Sequence, residues 1–363
     1  MKAESVKTDC FHYKGHIPCW PNKKYDVSCD SCDHYKPIRT KVLIIKLAAI
    51  GDVIRTTPLL KKLRETTQNC HISWVTDSPE ILSHRHVDQI YKFNFKSAFI
   101  LSNASFDIAI NLDKDLDACT LLDKIQASQK YGFGLKDGTV FPVNSLAEHK
   151  YLTGIFDHLS KENKKNYLQE IFELCGFEFN QEPYVLEADP KYQVKWAGLR
   201  EQAGSKKIIG LNIGCGTRWL TRLWPDEYWF ELIRNLQDAQ HYPILLGGND
   251  EDEKNTAFSE KTNAFYPGTF SLLEFISLTS QCDIIISAVT MMMHIAIGLK
   301  IPLVLFNNIF NPHEFELYDN GIILQPDTGC DCYYGNTCQR DRHCMYDLPV
   351  NSVHNAIDEL LDR

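Results

Sequence analysis

The chain has 363 residues, of which 44% are hydrophobic and 23% are charged. This composition excludes a disordered or low-complexity protein, and the length predicts about two domains. The formal net charge of −9 argues against nucleic acid as a partner, because phosphate groups bind basic surfaces. The charge is unevenly distributed, since the first 64 residues carry +7 and the remainder carries −16.

No apolar run approaches the roughly 20 residues that a membrane-spanning helix needs. The N-terminus is rich in lysine but lacks the apolar segment of a secretory signal. We therefore expect a cytoplasmic protein. The basic N-terminal region adds the expectation of peripheral contact with an anionic surface such as the inner membrane.

Eight of the thirteen cysteines lie in two short segments that are poor in apolar residues. Because a reducing compartment disfavours disulfides, we interpret each group as the ligands of a structural metal, zinc first and iron second. A nearby histidine could replace one ligand, and reduced thiols without a metal are the alternative. The predicted ligands are Cys10, Cys19, Cys29 and Cys32 in the first group, and Cys330, Cys332, Cys338 and Cys344 in the second.

From residue 41 onward, short apolar runs alternate with segments of helical periodicity. The first half of the chain predicts strands at 41–47, 71–77, 89–93 and 106–113, and helices at 53–66 and 164–175. Strands that alternate with helices are typical of a parallel sheet covered on both faces. The proline-containing, acidic stretch at 177–190 is expected to end this domain.

The second half repeats this pattern. It predicts strands at 206–214, 242–248, 283–287 and 302–306, and helices at 225–237, 271–281, 291–299 and 350–361. The expected fold is α/β, with two doubly wound parallel-sheet domains facing a cleft in which ligands bind beyond the strand ends. The expected divisions are a cysteine-rich module at 1–40, domains at 41–180 and 190–328, and a cysteine-rich segment with the last helix at 329–363.

The glycine-rich dinucleotide motif and the Walker loop are both absent, which argues against a dehydrogenase or a kinase. Polar residues at strand ends are the remaining candidates. Asp52 follows the first strand at the start of a helix, where it is a candidate to face the cleft. The alternative is that Asp52 only caps the helix.

Three further candidates follow strands of the second half. Arg218 and Arg222 lie between a glycine-containing turn and a helix start, a setting that suits a diphosphate. A solvated charged loop is the alternative for this pair. Glu251 follows Gly247 and Gly248 and could accept hydrogen bonds from ribose hydroxyl groups.

His294 lies early in an apolar helix, just after a predicted strand. A histidine in such a helix is commonly a packed core residue, which is the alternative here. Its position at a strand-to-helix junction, on the side of the expected cleft, favours a role in binding or catalysis.

The motifs just described, taken together, resemble glycosyltransferase family 9, the ADP-heptose-using heptosyltransferases of lipopolysaccharide core assembly and autotransporter glycosylation. The matching features occur in the family's order over roughly residues 41–350. They are the first strand with the following Gly51-Asp52-Val-Ile-Arg-Thr-Thr-Pro, the Arg222-Leu-Trp-Pro segment, the Gly-Gly-Asn-Asp-Glu turn, and the stretch from Thr290 to His294 with Ala296, Gly298 and Pro302.

The resemblance implies a GT-B fold of two Rossmann-like domains, inverting transfer of heptose from ADP-heptose, and no catalytic metal at the diphosphate. It makes Asp52 the general base and Arg222 a contact of the donor phosphates. It further makes Glu251 a ribose contact and places Thr290 and His294 beside the nucleotide sugar. A base that removes the acceptor proton and cations that hold the leaving diphosphate fit this chemistry.

Val289 and Met291 depart from the family, which has Asp-Thr-Gly where this chain has Val289, Thr290 and Met291. This difference bears on which sugar is transferred. Autotransporter heptosyltransferases also carry a cysteine-bound iron near the C-terminus, which the second cysteine group resembles.

Three functions are therefore considered. The first is transfer of heptose to a lipopolysaccharide-core or related glycan. The second is transfer to a protein, which an oligomeric state and a C-terminal iron would favour. The third is a non-catalytic scaffold that binds a nucleotide sugar.

Overall fold

The computed structural model describes residues 2–363, which form an α/β protein with two compact units. The first unit comprises the chain up to residue 48 together with 59–148 and 173–177. The second comprises 49–58, 149–172 and 178–363. The segment 49–58 follows the first strand directly, yet its contacts place it in the second unit.

The first unit is built on a six-stranded sheet in the order β3-β2-β1-β4-β5-β6. The strands are β1 (Thr40–Ile45), β2 (Cys70–Thr76), β3 (Gln89–Lys92), β4 (Ser105–Asn111), β5 (Gln126–Lys136) and β6 (Thr139–Pro142). All neighbours are parallel except β5 and β6. The four predicted strands are confirmed. The last two were missed because β5 is largely polar and half-exposed.

The second unit contains a five-stranded, fully parallel sheet in the order β11-β10-β9-β7-β8. Its strands are β7 (Ile208–Asn212), β8 (Tyr242–Leu245), β9 (Ile284–Ala288), β10 (Leu303–Phe306) and β11 (Gly321–Leu324). Every residue of β7, β9 and β10 is buried, as expected for strands covered on both faces. The four predicted strands are again confirmed, and β11 is additional.

Helices connect these strands. They are α1 (Trp20–Tyr25), α2 (Ile50–Thr56), α3 (Pro58–Thr66), α4 (Phe95–Ser102), α5 (Leu116–Lys124), α6 (Glu148–Thr153), α7 (Asp157–Glu162), α8 (Tyr167–Leu174), α9 (Pro190–Ala203), α10 (Asp226–Asp238), α11 (Asp252–Thr262), α12 (Leu272–Thr279), α13 (Met291–Gly298) and α14 (Val350–Asp362). The predicted helix at 53–66 is two helices. The break falls at Pro58, whose ring and missing N–H interrupt a continuous helix.

The two cysteine-rich segments are packed differently. Among residues 2–40, Pro21 alone is buried, so this segment has almost no apolar core of its own. The C-terminal segment, by contrast, contributes Cys344 and Met345 to the core of the second unit, where they are fully buried. Within residues 2–363, no helix combines the length and apolar character needed to cross a bilayer.

Candidate functional site

The carboxyl ends of β7, β8 and β9 meet in the second unit, where the sheet order reverses between β7 and β9. Such a reversal opens the crevice in which doubly wound sheets bind ligands. Asn212, at the end of β7, ties the three strand ends together. Its Oδ1 accepts hydrogen bonds of 3.1 Å from the hydroxyls of Ser287 and Thr290, and its Nδ2 donates to the Leu246 carbonyl at 3.1 Å.

Arg222 bridges the loops that follow β7 and β9. One guanidinium nitrogen donates to the Cys215 carbonyl and another to the Val289 carbonyl, while Nε donates to the Trp219 carbonyl at 3.2 Å. The residue is 7% exposed, and burial lowers the pKa of its guanidinium. Arg222 therefore holds the two loops together, a role in addition to the phosphate contact predicted for it.

Arg218 lies on the same loop in a different setting. Its side chain is exposed, and its guanidinium stacks at 4.2 Å from the centre of the Trp219 ring. An exposed guanidinium that is oriented by an aromatic ring is well suited to bind an anion.

Glu251 follows β8 and lies against the glycines of two loops. Its carboxylate accepts a hydrogen bond of 2.9 Å from the Gly248 amide. A Cβ at Gly214 would come within 2.2 Å of Glu251, and one at Gly247 within 2.7 Å. The glycines therefore let the Glu251 side chain approach the backbone after β7 and β8.

Thr290 begins α13 at the third strand end. Its hydroxyl accepts a hydrogen bond of 3.2 Å from the Met292 amide and so caps the helix. Arg222, Glu251 and Thr290 are thus brought to one edge of the second sheet, as the sequence predicted from their positions after strands.

Asp52 lies on α2 and forms an ion pair with Arg55, one helical turn later, in which Oδ1 and Nε are 2.9 Å apart. The Asp52 side chain is 33% exposed, so its carboxylate is within reach of solvent. The structure places Ala49 at the N-cap of α2, and Asp52 lies in the first turn of the helix. Asp52 is therefore not the N-cap residue of this helix.

Arg55 and its partners were not predicted from the sequence. Its guanidinium lies 3.4 Å from the centre of the Tyr167 ring and donates a hydrogen bond of 3.1 Å to Glu314. Burial lowers the pKa of Arg55, but the carboxylate of Asp52 is the main opposing cause, and the net shift is upward. The signal for Arg55 was available, since residues three apart on a helix are neighbours. Glu314 is 259 positions away and gave no such signal.

His294 packs α13 against α2. A Cβ at Gly51 would come within 2.6 Å of the imidazole, so only glycine permits this approach of the two helices. The ring stacks on Tyr184, with 6.2 Å between ring centres. Burial, assisted by the charge of Arg55, lowers the pKa of His294 to about 3, so the imidazole is neutral near pH 7.

The packing of α2 on α13 joins the two halves of the candidate site. Asp52 lies on the first helix, and His294 lies one turn from Thr290 on the second. The carboxylate predicted to act as a base and the residues at the second sheet edge are therefore linked within the second unit.

The predicted metal sites are not supported by side-chain geometry. All thirteen cysteines are free thiols, and the chain from residue 2 to 363 contains no set of three or more His, Cys, Asp or Glu side chains arranged to hold a metal ion. The four N-terminal cysteines nevertheless line one cavity of about 270 Å³.

The C-terminal thiols contact one another in pairs. Interaction with Cys344 raises the pKa of the Cys330 thiol, and burial together with Cys338 raises the pKa of the Cys332 thiol. The Cys332 amide also donates to the Cys330 sulfur at 3.3 Å, which connects the two pairs. The four thiols thus form one continuous group, although they are not arranged to hold a metal ion.

Comparison with known proteins identifies one family. The model of glycosyltransferase family 9 (heptosyltransferase) matches residues 96–326. No curated protein matches the sequence.

Solved structures share the fold at low sequence identity. The glycosyltransferase family 9 protein from Veillonella parvula is 18% identical, with 89% of this chain and 97% of that chain covered and a TM-score of 0.69. The Escherichia coli ADP-heptose lps heptosyltransferase II is 17% identical, with 88% and 98% covered and a TM-score of 0.67. The iron-containing dodecameric glycosyltransferase TibC from enterotoxigenic E. coli is 12% identical, with 90% and 79% covered and a TM-score of 0.54.

Proposed function

The chain belongs to glycosyltransferase family 9 and is a glycosyltransferase, and from this premise we propose that it transfers heptose from ADP-heptose to a lipopolysaccharide-core or related glycan, with inversion. The E. coli relative that is named for ADP-heptose and lipopolysaccharide supports this donor and acceptor class. The observation that carries the proposal is the packing of α2 on α13, which links Asp52 to the edge of the second sheet.

Asp52 is the proposed general base. An acceptor hydroxyl is a weak nucleophile until a carboxylate takes its proton as the new bond forms. The hydroxyl oxygen then bonds to the anomeric carbon from the side opposite the leaving group, the bond to the diphosphate breaks, and the proton passes to Asp52. The partial exposure of this carboxylate leaves room for an acceptor.

The leaving ADP needs its growing negative charge held. Arg218 is the proposed direct contact, because its guanidinium is exposed beside Trp219. Arg222 fixes the loops after β7 and β9 through two carbonyl groups. Its other N–H groups are the second proposed contact of the phosphates. The amides at the start of α13, behind Thr290, add donors at the same edge.

Glu251 is the proposed ribose contact, as an acceptor for hydroxyl groups at the end of β8. Thr290 and His294 are proposed to lie beside the nucleotide sugar. Because His294 is neutral and buried, its contribution would be to hold α2 and α13 in register.

Calorimetric titration with ADP-heptose, ADP, GDP-mannose and UDP-glucose tests the donor assignment. We expect selective binding of ADP-heptose and ADP. Preference for another nucleotide sugar would contradict the proposed donor and would mark Val289 and Met291 as part of a changed sugar site. Binding of ADP-heptose without transfer or hydrolysis would support the scaffold alternative.

A protein acceptor is the second candidate. The observation that favours it is the continuous group of four C-terminal thiols, because the resemblance to autotransporter heptosyltransferases includes a cysteine-bound iron in this region. Incubation with ADP-heptose and either a heptose-free lipopolysaccharide core or an unmodified autotransporter passenger protein distinguishes the two acceptors.

Both cysteine groups are proposed to hold structural metals. In the C-terminal group, Cys330, Cys332, Cys338 and Cys344 would be the ligands of zinc or iron. In the N-terminal group, Cys10, Cys19, Cys29 and Cys32 share one cavity in a segment with a single buried residue. A bound metal would supply the folding free energy that this segment does not obtain from an apolar core.

A further inference from the structure

A chain of three polar contacts connects the C-terminal cysteine segment to Asp52. The Tyr334 hydroxyl donates a hydrogen bond of 2.9 Å to Oε2 of Glu314. The other oxygen of Glu314 accepts from Arg55 at 3.1 Å, and Arg55 pairs with Asp52 at 2.9 Å. All four residues belong to the second unit.

Arg55, in the middle of this series of contacts, has little freedom to move. The Arg55 side chain is 13% exposed and lies flat on the Tyr167 ring. A half-buried guanidinium needs counter-charges, and Asp52 and Glu314 supply them from two sides. Moving Glu314 would therefore move Arg55 and change the pairing of Asp52.

Tyr334, at the other end of this series of contacts, is also fixed. The Tyr334 ring packs edge-on against Phe310 and Trp219, with ring centres 4.9 and 5.8 Å apart, and its amide donates to the Ile309 carbonyl at 3.0 Å. The next residue, Gly335, accepts a hydrogen bond of 2.8 Å from Thr221, the neighbour of Arg222. One short segment thus contacts both the Asp52 network and the Arg222 loop.

We propose that Tyr334 and Glu314 are positioning residues for the glycosyl transfer, which act through Arg55 to hold the Asp52 carboxylate in the orientation that accepts the acceptor proton. The inference deepens the proposed function, in which Asp52 is the base. It also gives the segment between Cys332 and Cys338 a role in the reaction besides that of a structural element.

The charged and titratable groups around Asp52 allow the effect to be measured. Arg55 faces it from its own helix, His294 from α13 and Tyr184 from the segment before α9. Glu314, in the segment after β10, acts on it through Arg55. His294 is neutral above about pH 3. Glu314→Gln therefore removes one negative charge from this network while the Arg55 side chain itself is kept.

The test compares Glu314→Gln, Tyr334→Phe and the matched control Tyr333→Phe. Tyr333 is the adjacent tyrosine, and its hydroxyl donates to Ser160 rather than to Glu314. The first readout is the titration of the Asp52 carboxyl, followed by NMR with isotope-labelled aspartate and assigned with Asp52→Asn. This readout needs neither donor nor acceptor.

We expect Glu314→Gln to lower the titration midpoint of Asp52, because a nearby negative charge is lost. The titration midpoint of Asp52 in the Tyr333→Phe variant should equal that in the wild type. In turnover assays, Glu314→Gln should lower kcat by about 10- to 100-fold through misplacement of the base. Tyr334→Phe should lower kcat less, and neither variant should change the affinity for ADP.

Equal Asp52 midpoints in the wild type and Glu314→Gln, together with an unchanged kcat in Tyr334→Phe, would overturn the positioning role. That result would leave the proposed function intact if Asp52→Asn still abolished turnover. Conversely, full turnover in Asp52→Asn would refute the base assignment itself. If Tyr334→Phe folds poorly, Glu314→Gln alone decides the outcome through the NMR titration.

Discussion

Two arginines of the second unit, the half-buried Arg55 and the buried Arg222, are held by different partners. Arg55 lies between the carboxylates of Asp52 and Glu314. Arg222 instead donates to the backbone carbonyls of Cys215 after β7, of Val289 after β9 and of Trp219. The first arginine therefore sets the charge and orientation of side chains, whereas the second sets the path of loops.

Because the two arginines have different partners, substitutions around them should have different effects. A change around Arg55 alters acid–base chemistry while the loops keep their positions. A change at Arg222 removes the side-chain donor of the Cys215 and Val289 carbonyls, so it alters the stability of the fold and the shape of the nucleotide edge together.

Asp52→Ala tests the Arg55 region and has the largest expected effect. Loss of a general base should lower turnover by at least about 100-fold, while ADP binding stays nearly intact because the proposed ADP contacts are elsewhere. Steady-state kinetics and calorimetry with ADP measure the two quantities. Near-normal turnover in this variant would show that Asp52 is not the base.

Arg222→Ala tests the other region. The Cys215 and Val289 carbonyls lose their buried side-chain donor, whereas the Trp219 carbonyl keeps the amide of residue 222. We therefore expect a loss of about 2–4 kcal/mol in the free energy of unfolding together with weaker binding of ADP. Arg218→Ala is the matched control on the same loop. Because Arg218 is exposed, it should weaken ADP binding without a change in urea-induced unfolding. Equal stability of the two variants would contradict the loop-bridging role of Arg222.

His294 links the helix of Asp52 to α13 and gives the contact a pH dependence. Its pKa is about 3 in the folded protein against an ordinary value of 6.5, so between these values the unfolded chain binds a proton that the folded chain does not. Stability should therefore fall as pH decreases from 6.5, by at most about 1.4 kcal/mol for each pH unit from this residue.

Urea unfolding of the wild type and His294→Gln at pH 6.5 and 4.5 measures this contribution. The variant should lose less stability between the two pH values. An equal loss in both proteins would show that His294 is protonated without cost in the folded state.

The N-terminal cysteines lie outside both regions and should have the smallest effect on turnover. Replacing Cys29 and Cys32 with serine should release metal and lower the melting temperature, because the segment has almost no apolar core. The kcat should stay unchanged. Metal analysis of the purified proteins is the measurement, and equal metal content would remove this group from the metal proposal.

Much of the fold was predictable because buried parallel strands are continuous apolar runs. All eight predicted strands of the two sheets exist, and the predicted helices that follow them are present, although one is broken at Pro58. The missed strands β5 and β6 are more polar and more exposed, so their sequence lacks an apolar run.

The site was predictable only where a residue follows a strand. Arg222, Glu251 and Thr290 meet at one sheet edge because parallel strands end on the same side. The loop-bridging contacts of Arg222 and the pairing of Arg55 with Glu314 depend on tertiary packing. No local pattern in the sequence joins residues that are 259 positions apart.

Analysis of the reaction product decides whether this protein transfers heptose with inversion. The wild-type protein is incubated with ADP-heptose and a heptose-free lipopolysaccharide core, and the product is examined by mass spectrometry and by NMR of its anomeric signal. We expect release of ADP, a gain of one heptosyl residue, and an anomeric configuration opposite to that of the donor. Transfer with retained configuration would contradict an inverting reaction with Asp52 as the base, and transfer of another sugar in preference to heptose would contradict the proposed donor.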